Sequence, residues 1–337
     1  MSDQTRTIMT EHQPLSIPEV FGLKPYAQTL QQARMVFKGD PNVPPSRFDT
    51  TSLGIMTPRL SIGTWMGIKM GGRTIPLLSL FNHNQTPIRE GWSTRVTQVR
   101  DFRGRYLTYD SHNGTDFVIP PGTITTAATS GRLVSIRQEF NRGGLKLYMD
   151  HGQGLMTTYN HLGRALINIG DVVEEGEPIA LTGYSGIDGL TGFPWLAPHV
   201  HWNAILGGVL VDPFGLDGQE SLWRQRNDPK PYMGQELEPY SATTFPQERI
   251  EAMLNDLQDA QRREELVRSV PPWRLPFELI IEATVYPTRF ATHDAGQILF
   301  ETPPERRPRL SLPFRAEDFD GVGFADDMGF RTAAKPQ

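Results

Sequence analysis

Pro198-His199-Val200-His201-Trp202 sets two imidazoles two residues apart at the head of an apolar, strand-like run. On a strand, side chains at i and i+2 point to the same face, so both rings look into one cleft. Upstream, Ser111-His112-Asn113-Gly114-Thr115-Asp116-Phe117 holds a histidine and a carboxylate four residues apart. Gly114 and the turn-forming Asn113 make this a tight loop entering a strand at Phe117, and such a loop can bring both side chains onto one ion. Between the two stretches, His161 in Tyr159-Asn160-His161-Leu162 follows the strand-like run Leu155 to Tyr159. Imidazole and carboxylate suit a divalent metal such as zinc. Two histidines and one carboxylate leave a coordination position open for water, which separates a hydrolytic site from a structural one.

Each piece also has a plainer reading by itself. H-x-H is then a pair on a solvated strand face, and H-x-x-x-D a surface loop with a His–Asp hydrogen bond. His161 becomes a strand-end residue satisfied by backbone, and His151 a turn residue in Asp150-His151-Gly152. His83, in Asn82-His83-Asn84, reads as a surface-loop histidine, with a cap over an empty metal position as the sharper alternative.

Outward from these motifs the chain is mainly β. Short runs rich in β-branched and aromatic residues recur at Thr94–Val99, Tyr106–Tyr109, Phe117–Ile119, Leu133–Gln138, Leu145–Met149, Met156–Tyr159, Ile179–Leu181 and His199–Ile205. Gly143-Gly144, Asp150-His151-Gly152 and Gly152-Gln153-Gly154 are hairpin turn signals, so an antiparallel sheet domain is expected over 91–215. Residues 1–90 read as an irregular N-terminal arm with one short helix over Ala27 to Phe37; a propeptide-like cover over the site is the sharper form of that reading. Residues 216–303 read as a small α+β appendage. In it Ile250, Met253, Leu254 and Leu257 mark a helix over Gln247 to Val267, while Phe277–Tyr286 and Gln297–Phe300 look like strands. Residues 304–337, rich in Pro, Arg and Asp, read as a loose tail.

The 337 residues carry a net charge of −5 and no cysteine. At roughly 100–200 residues per domain, two or three domains are expected. The absence of cysteine excludes disulfides, thiolate ligands and a cysteine nucleophile. No Lys/Arg-rich block provides a footprint for nucleic acid. No stretch reaches the roughly 18 apolar residues of a membrane span. The start, Met1 to Gln13, is polar and lacks the apolar core of a secretory signal.

The combined order is more specific than its parts. H-x-x-x-D, Y-x-H-L, G-D-x-V-x-x-G-x-x-I-A (170–180), G-x-S-G (183–186) and P-H-x-H-W follow one another within about a hundred residues. This order resembles the lysostaphin/LytM-type zinc endopeptidases over roughly 95–212. The resemblance implies an antiparallel β-sheet domain with a groove over the sheet. It implies zinc held by His112, Asp116 and His201, with His161 and His199 as catalytic residues that do not ligate the metal. It implies cleavage of peptide cross-links of bacterial cell wall, and a place in the envelope or outside the cell. The sequence departs from the pattern at Phe193-Pro194-Trp195-Leu196-Ala197, an apolar insertion before Pro198-His199 that is expected to reshape one groove wall. Three other readings remain: a metallohydrolase acting on a non-wall peptide, a catalytically silent activator on the same fold, and a lipoyl- or biotinyl-type carrier suggested by Gly170–Ile179. The carrier has only Lys146 nearby for attachment.

Overall fold

A computed structural model describes residues 14–40, 42–216, 218–236 and 239–331. The polar start lies outside these residues, as does the end of the tail. In chain order the elements begin with α1 (Ile17–Phe21), α2 (Tyr26–Lys38), α3 (Pro58–Trp65), β1 (Thr74–Leu77) and β2 (Thr115–Val118). There follow β3 (Ile124–Thr126), β4 (Gly131–Glu139), β5 (Gly144–Asp150), β6 (Leu155–Ala165), β7 (Val172–Val173), β8 (Pro178–Thr182), α4 (Ile187–Gly192), β9 (His199–Leu206) and β10 (Val209–Val211). The chain closes with α5 (Gln247–Asp256), α6 (Ala260–Ser269), α7 (Leu275–Val285) and β11 (Gly321–Phe324).

The strands form one sheet in the order β11-β1-β2-β9-β6-β5-β4-β7, with β10 on β9 and β8 between β3 and β6. All pairings are antiparallel except β1 with β11, which is parallel. The two hairpins expected from glycine are present: Gly143 and Gly144 turn β4 into β5, and Gly152 and Gly154 turn β5 into β6, all at positive φ.

The two-residue period of the strands divides the molecule. Val200, Trp202 and Ala204 of β9 point into the main apolar core with Leu147 and Met149, Leu155 and Tyr159, Phe117, Trp223 and Phe314. The alternate residues face the other way, where Ile205, Met156, Tyr148 and Val134 pack against α5 and α7. His199, His201 and Asn203 share that second face with Ile205 by alternation, so the histidine end of the face continues into the helix-covered end.

Several local expectations give way to tertiary structure. Phe277 to Tyr286 is the buried helix α7 rather than a strand, and Gln297 to Phe300 falls in a 3₁₀ turn. The β-branched residues of α7 disfavour a helix by less than about 1 kcal/mol each. Burying Phe277, Leu279, Ile280 and Ile281 is worth about 1.5–3 kcal/mol apiece, so packing decides. Glu278 and Glu282, one helical turn apart, both pair with Arg137 of β4, which fixes the helix on the sheet. The single helix over Gln247 to Val267 is instead two, because Leu257 leaves the axis to bridge Phe290 and Asp259 caps α6 through Arg262 N–H. Thr94–Val99 and Tyr106–Tyr109 are not strands. Asp110 accepts from the N–H groups of Thr97 and Gln98, and Asp101 from that of Leu107, replacing ladder bonds. The arm is not irregular throughout: it carries α1, α2 (the expected short helix) and α3, and β1 joins the sheet. Nor is the tail loose up to residue 331. Leu310, Leu312, Phe314 and Phe319 enter the main core, and Arg331 is buried with its guanidinium on Leu78 O.

His151 lies in the β5–β6 connection, as read, and is a structural residue there. It is buried, with Nδ1 at Ser130 O and Nε2 at Thr157 Oγ1. Burial holds its pKa down to about 3, against the Ser130 hydrogen bond that raises it. The unfolded chain takes up this proton below about pH 6.5, whereas the folded chain does so only near 3, so acid favours unfolding through this window. His151 is expected to remove about 1.4 kcal/mol of stability per pH unit below 6.5. Urea unfolding midpoints measured between pH 6.5 and 5, above the carboxylate range, should fall less steeply in His151→Gln than in the parent; equal slopes would refute this assignment.

Candidate metal centre

Strand register builds the first half of the site. β2 and β9 pair with Asp116 opposite His201 and Val118 opposite His199. Directly paired residues lie side by side on one face, and Asp116 Oδ1 comes to 2.8 Å from His201 Nδ1. His112 enters from the loop before β2. Its N–H donates to Tyr109 O, and its carbonyl accepts from Asn82 N–H at 2.9 Å and Gln85 Nε2 at 3.1 Å. This pins the ring so that Nε2 lies 3.0 Å from Asp116 Oδ1 and 3.1 Å from His201 Nδ1. Gly114 makes the approach possible: a Cβ there would sit 2.6 Å from Asn203 Nδ2 and Trp202 O and 2.8 Å from His201 Nε2. Three ligand atoms, one each from His112, Asp116 and His201, lie within 4.8 Å of one another, and all three residues are buried.

The outward-facing nitrogens set the tautomers. His112 Nδ1 is 2.7 Å from Leu80 O, a bond that only an N–H can make, so its Nε2 carries the inward lone pair. His201 Nε2 is 3.2 Å from Asn113 Oδ1, and with the proton there its Nδ1 lone pair also faces inward. Asn203 Nδ2, 3.1 Å from the same Nε2, has Asn113 O as its nearest acceptor at 2.7 Å. Two nitrogen lone pairs and a carboxylate oxygen thus meet without a proton to share among them. Neutral imidazoles and a carboxylate repel in that arrangement, and a cation resolves it; the donor set fits zinc. Burial by itself raises the pKa of Asp116, but a proton taken up by His112 or His199 opposes this, and the carboxyl stays well below its usual range.

His161 and His199 stand next to this group. His199 shares a strand face with His201, and its Nδ1 is fixed by Ala197 O at 2.8 Å, with Nε2 3.6 Å from Asp116 Oδ1. His161 reaches the same face by a different route. Alternation from Asn160 would send it into the apolar core. A β-bulge intervenes: Leu145 pairs with Leu162 and Leu147 with Tyr159, so β6 spends one residue more than β5 over this step. His161 takes a left-handed φ of 61°, its N–H bonds to Gly143 O, and its Nδ1 lies 2.8 Å from Ser185 O. Its ring centre is 5.0 Å from that of His199 and 6.3 Å from that of His201. Burial pushes the His161 pKa down to about 4 and lowers that of His199, so both rings are neutral at pH 7.

A cavity of about 450 Å³ opens on His161, His201, Asn113 and Asn203. Its other walls include Phe48, Leu53 and Met56 of the arm, Leu196 of the insertion and Val285 of α7. The insertion is held from outside by the arm: Phe193 packs on Trp65 at 5.0 Å and on Phe21 at 5.9 Å, and Trp65 Nε1 donates to Leu196 O. Elsewhere, His83 pairs with Asp212 at 2.8 Å and takes no place in the cluster. Lys146 is buried against Glu139 rather than presented at a hairpin tip, which removes the carrier reading. Sequence reasoning missed Asn203, whose place two residues after His201 on the same strand face was a usable signal. It also missed Tyr184, which touches His161 and His199 edge-on and tilted at 5.2 and 4.8 Å and has no spacing signature.

Residues 110–213 match the model of peptidase family M23. Similar curated proteins include an uncharacterized metalloprotease of Haemophilus influenzae, 33% identical over 102 residues, which is 30% of this chain and 20% of that protein. Two of Vibrio cholerae are the peptidoglycan DD-endopeptidases ShyB, 33% identical over 32% of this chain and 23% of that protein, and ShyA, 36% identical over 30% and 22%. The chain thus spans only about a fifth of the length of the curated relatives it matches. The matched segment contains His112, Asp116, His161, His199 and His201 together, and residues 110–213 are a domain of peptidase family M23, carrying its motifs in the lysostaphin/LytM order.

Proposed function

We propose that this protein is a zinc-dependent endopeptidase that hydrolyses amide bonds in the peptide cross-links of peptidoglycan. The observation that carries the reading is the meeting of three unprotonated ligand atoms from His112, Asp116 and His201 beside two neutral imidazoles that no structural bond consumes at Nε2. The names of the Vibrio cholerae relatives support the substrate class.

His112, Asp116 and His201 would hold the metal. Zinc bound there would lower the pKa of a water toward about 7 and polarise a carbonyl oxygen. The protein supplies the proton handling. His161 and His199 each donate through Nδ1 to a main-chain carbonyl, which leaves Nε2 as an acceptor. One of the two takes the proton of the attacking water, and in its charged form returns a proton to the leaving amine; the other orients or stabilises the carbonyl oxygen. Fixed Nδ1 bonds cost no reorganisation during the reaction.

Four single variants test the division of labour. His112→Ala and His201→Ala should lose bound zinc by elemental mass spectrometry. His161→Ala and His199→Ala should keep one zinc per chain and lose about 10²–10⁴-fold in release of peptides from purified peptidoglycan. Full activity in all four would end the proposal, and zinc-loaded protein that leaves peptidoglycan intact while cutting other peptides would end the substrate assignment.

The acid limb provides a second check. The depressed pKa of His161 means that its acceptor is lost only as pH falls through about 4, not near 6.5. With zinc content monitored in parallel, kcat should hold between pH 7 and about 5 and decline below; a midpoint near 6.5 at constant zinc would contradict this role for His161.

A further inference from the structure

The charged side chains lining the cavity are not all paired. Lys146 is tied to Glu139, and Asp49 accepts from Thr51. Arg142, at the tip of the β4–β5 hairpin, lines the same cavity as His161 and His201 and has no hydrogen bond or ion pair from its guanidinium to any described residue. Its Nε is sealed from solvent without a partner. The nearby carboxylates are committed elsewhere: Glu139 to Lys146 and the Tyr286 hydroxyl, and Asp40 to the N–H groups of Asn42 and Val43. Burial lowers the pKa of Arg142, and the more distant Tyr286, Glu139 and Asp40 only partly offset this. An arginine stays charged in proteins, so Arg142 is an unpaired cation in this cavity; the other unpaired charged group of the lining, Asp188, is a carboxyl whose pKa burial raises, and it makes no ion pair with Arg142.

Its position ties it to the reaction centre. The next residue, Gly143, accepts the N–H of His161 through its carbonyl and lies against Asn160. Asn160 also lines the cavity, and its Oδ1 is a buried acceptor with no donor among the described residues. A guanidinium that still has its terminal N–H groups to offer, lining the same cavity as an orphan acceptor, matches a carboxylate on a peptide whose main-chain N–H answers the acceptor.

Resting on the peptidase reading, we propose that Arg142 is a specificity-determining residue: it receives a free carboxylate of the peptide substrate next to the scissile bond, with Asn160 Oδ1 taking a peptide N–H. The cleft then selects acidic cross-link peptides over neutral ones of equal size.

Two measurements on the full zinc-loaded chain decide this. In ¹⁵N-labelled protein, the Arg142 Nε–Hε resonance, assigned by its absence in Arg142→Lys, should shift saturably with succinate and not with succinamide; no response to succinate overturns the subsite. In digestion, cross-linked muropeptide dimers with free carboxylates should have a KM about 10- to 100-fold below that of the same dimers converted to carboxamides, the range expected for a charge-assisted pair. Arg142→Gln should erase that difference while zinc content and Tm stay unchanged, and Arg142→Lys should keep part of it. If Arg142→Gln does not fold, the lysine variant carries the comparison. Equal KM values in the parent, or a difference that survives in a folded Arg142→Gln, overturn the proposal. A succinate response with neither dimer cleaved leaves the carboxylate subsite standing and removes the wall-peptide assignment alone.

Discussion

Three lone pairs forced together organise this protein. His112 Nε2, His201 Nδ1 and Asp116 Oδ1 lie about 3 Å apart because each ring spends its one proton outward, on Leu80 O and on Asn113 Oδ1. Without a cation the contact is repulsive, and the surrounding structure must hold it. That requirement explains the double anchoring of the His112 carbonyl, the glycine at 114 and the Asn113–Asn203 pair behind His201. A loop without these restraints would relax by turning one ring away.

The sheet separates the dry apolar core from the histidine cluster. One face of β6 and β9 is filled by Tyr159, Trp202 and their neighbours, and the other carries the imidazoles. Alternation alone delivers His199 and His201 to the cavity-facing side. His161 needs the bulge in β6 and a left-handed backbone to join them. Strain of this kind costs about 1–3 kcal/mol and persists where surrounding bonds over-determine it, here through Gly143 O and Ser185 O.

The segments flanking the M23 domain also shape the cleft. The arm supplies Phe48, Leu53 and Met56 to the cavity and clamps the insertion through Phe21 and Trp65. The insertion in turn provides the Ala197 carbonyl that fixes His199. α7 adds Thr284 and Val285 to the lining. The cleft is therefore narrower and more apolar than the 91–215 sheet would make it, with Arg142 as its unpaired cation.

Much of the site was legible in the sequence, because short-range spacing fixes it. The i, i+2 pair at 199 and 201, the loop at 112–116 and the glycine turns at 143–144 and 152–154 express local geometry that the fold does not alter. The strand periods from Leu133 to Ile205 were legible for the same reason. What the sequence could not specify were elements whose form is chosen by distant neighbours. Phe277 to Tyr286 becomes a helix because the sheet face and Arg137 receive it, the segment after Pro303 is ordered because the main core takes Leu310, Leu312 and Phe314, and Thr94–Val99 loses its ladder to Asp110. Chain chemistry alone determined which atoms are suited to bind a cation; only three-dimensional packing decided which walls enclose them, because burial energies summed over many contacts exceed the fraction of a kilocalorie per residue that local preference supplies.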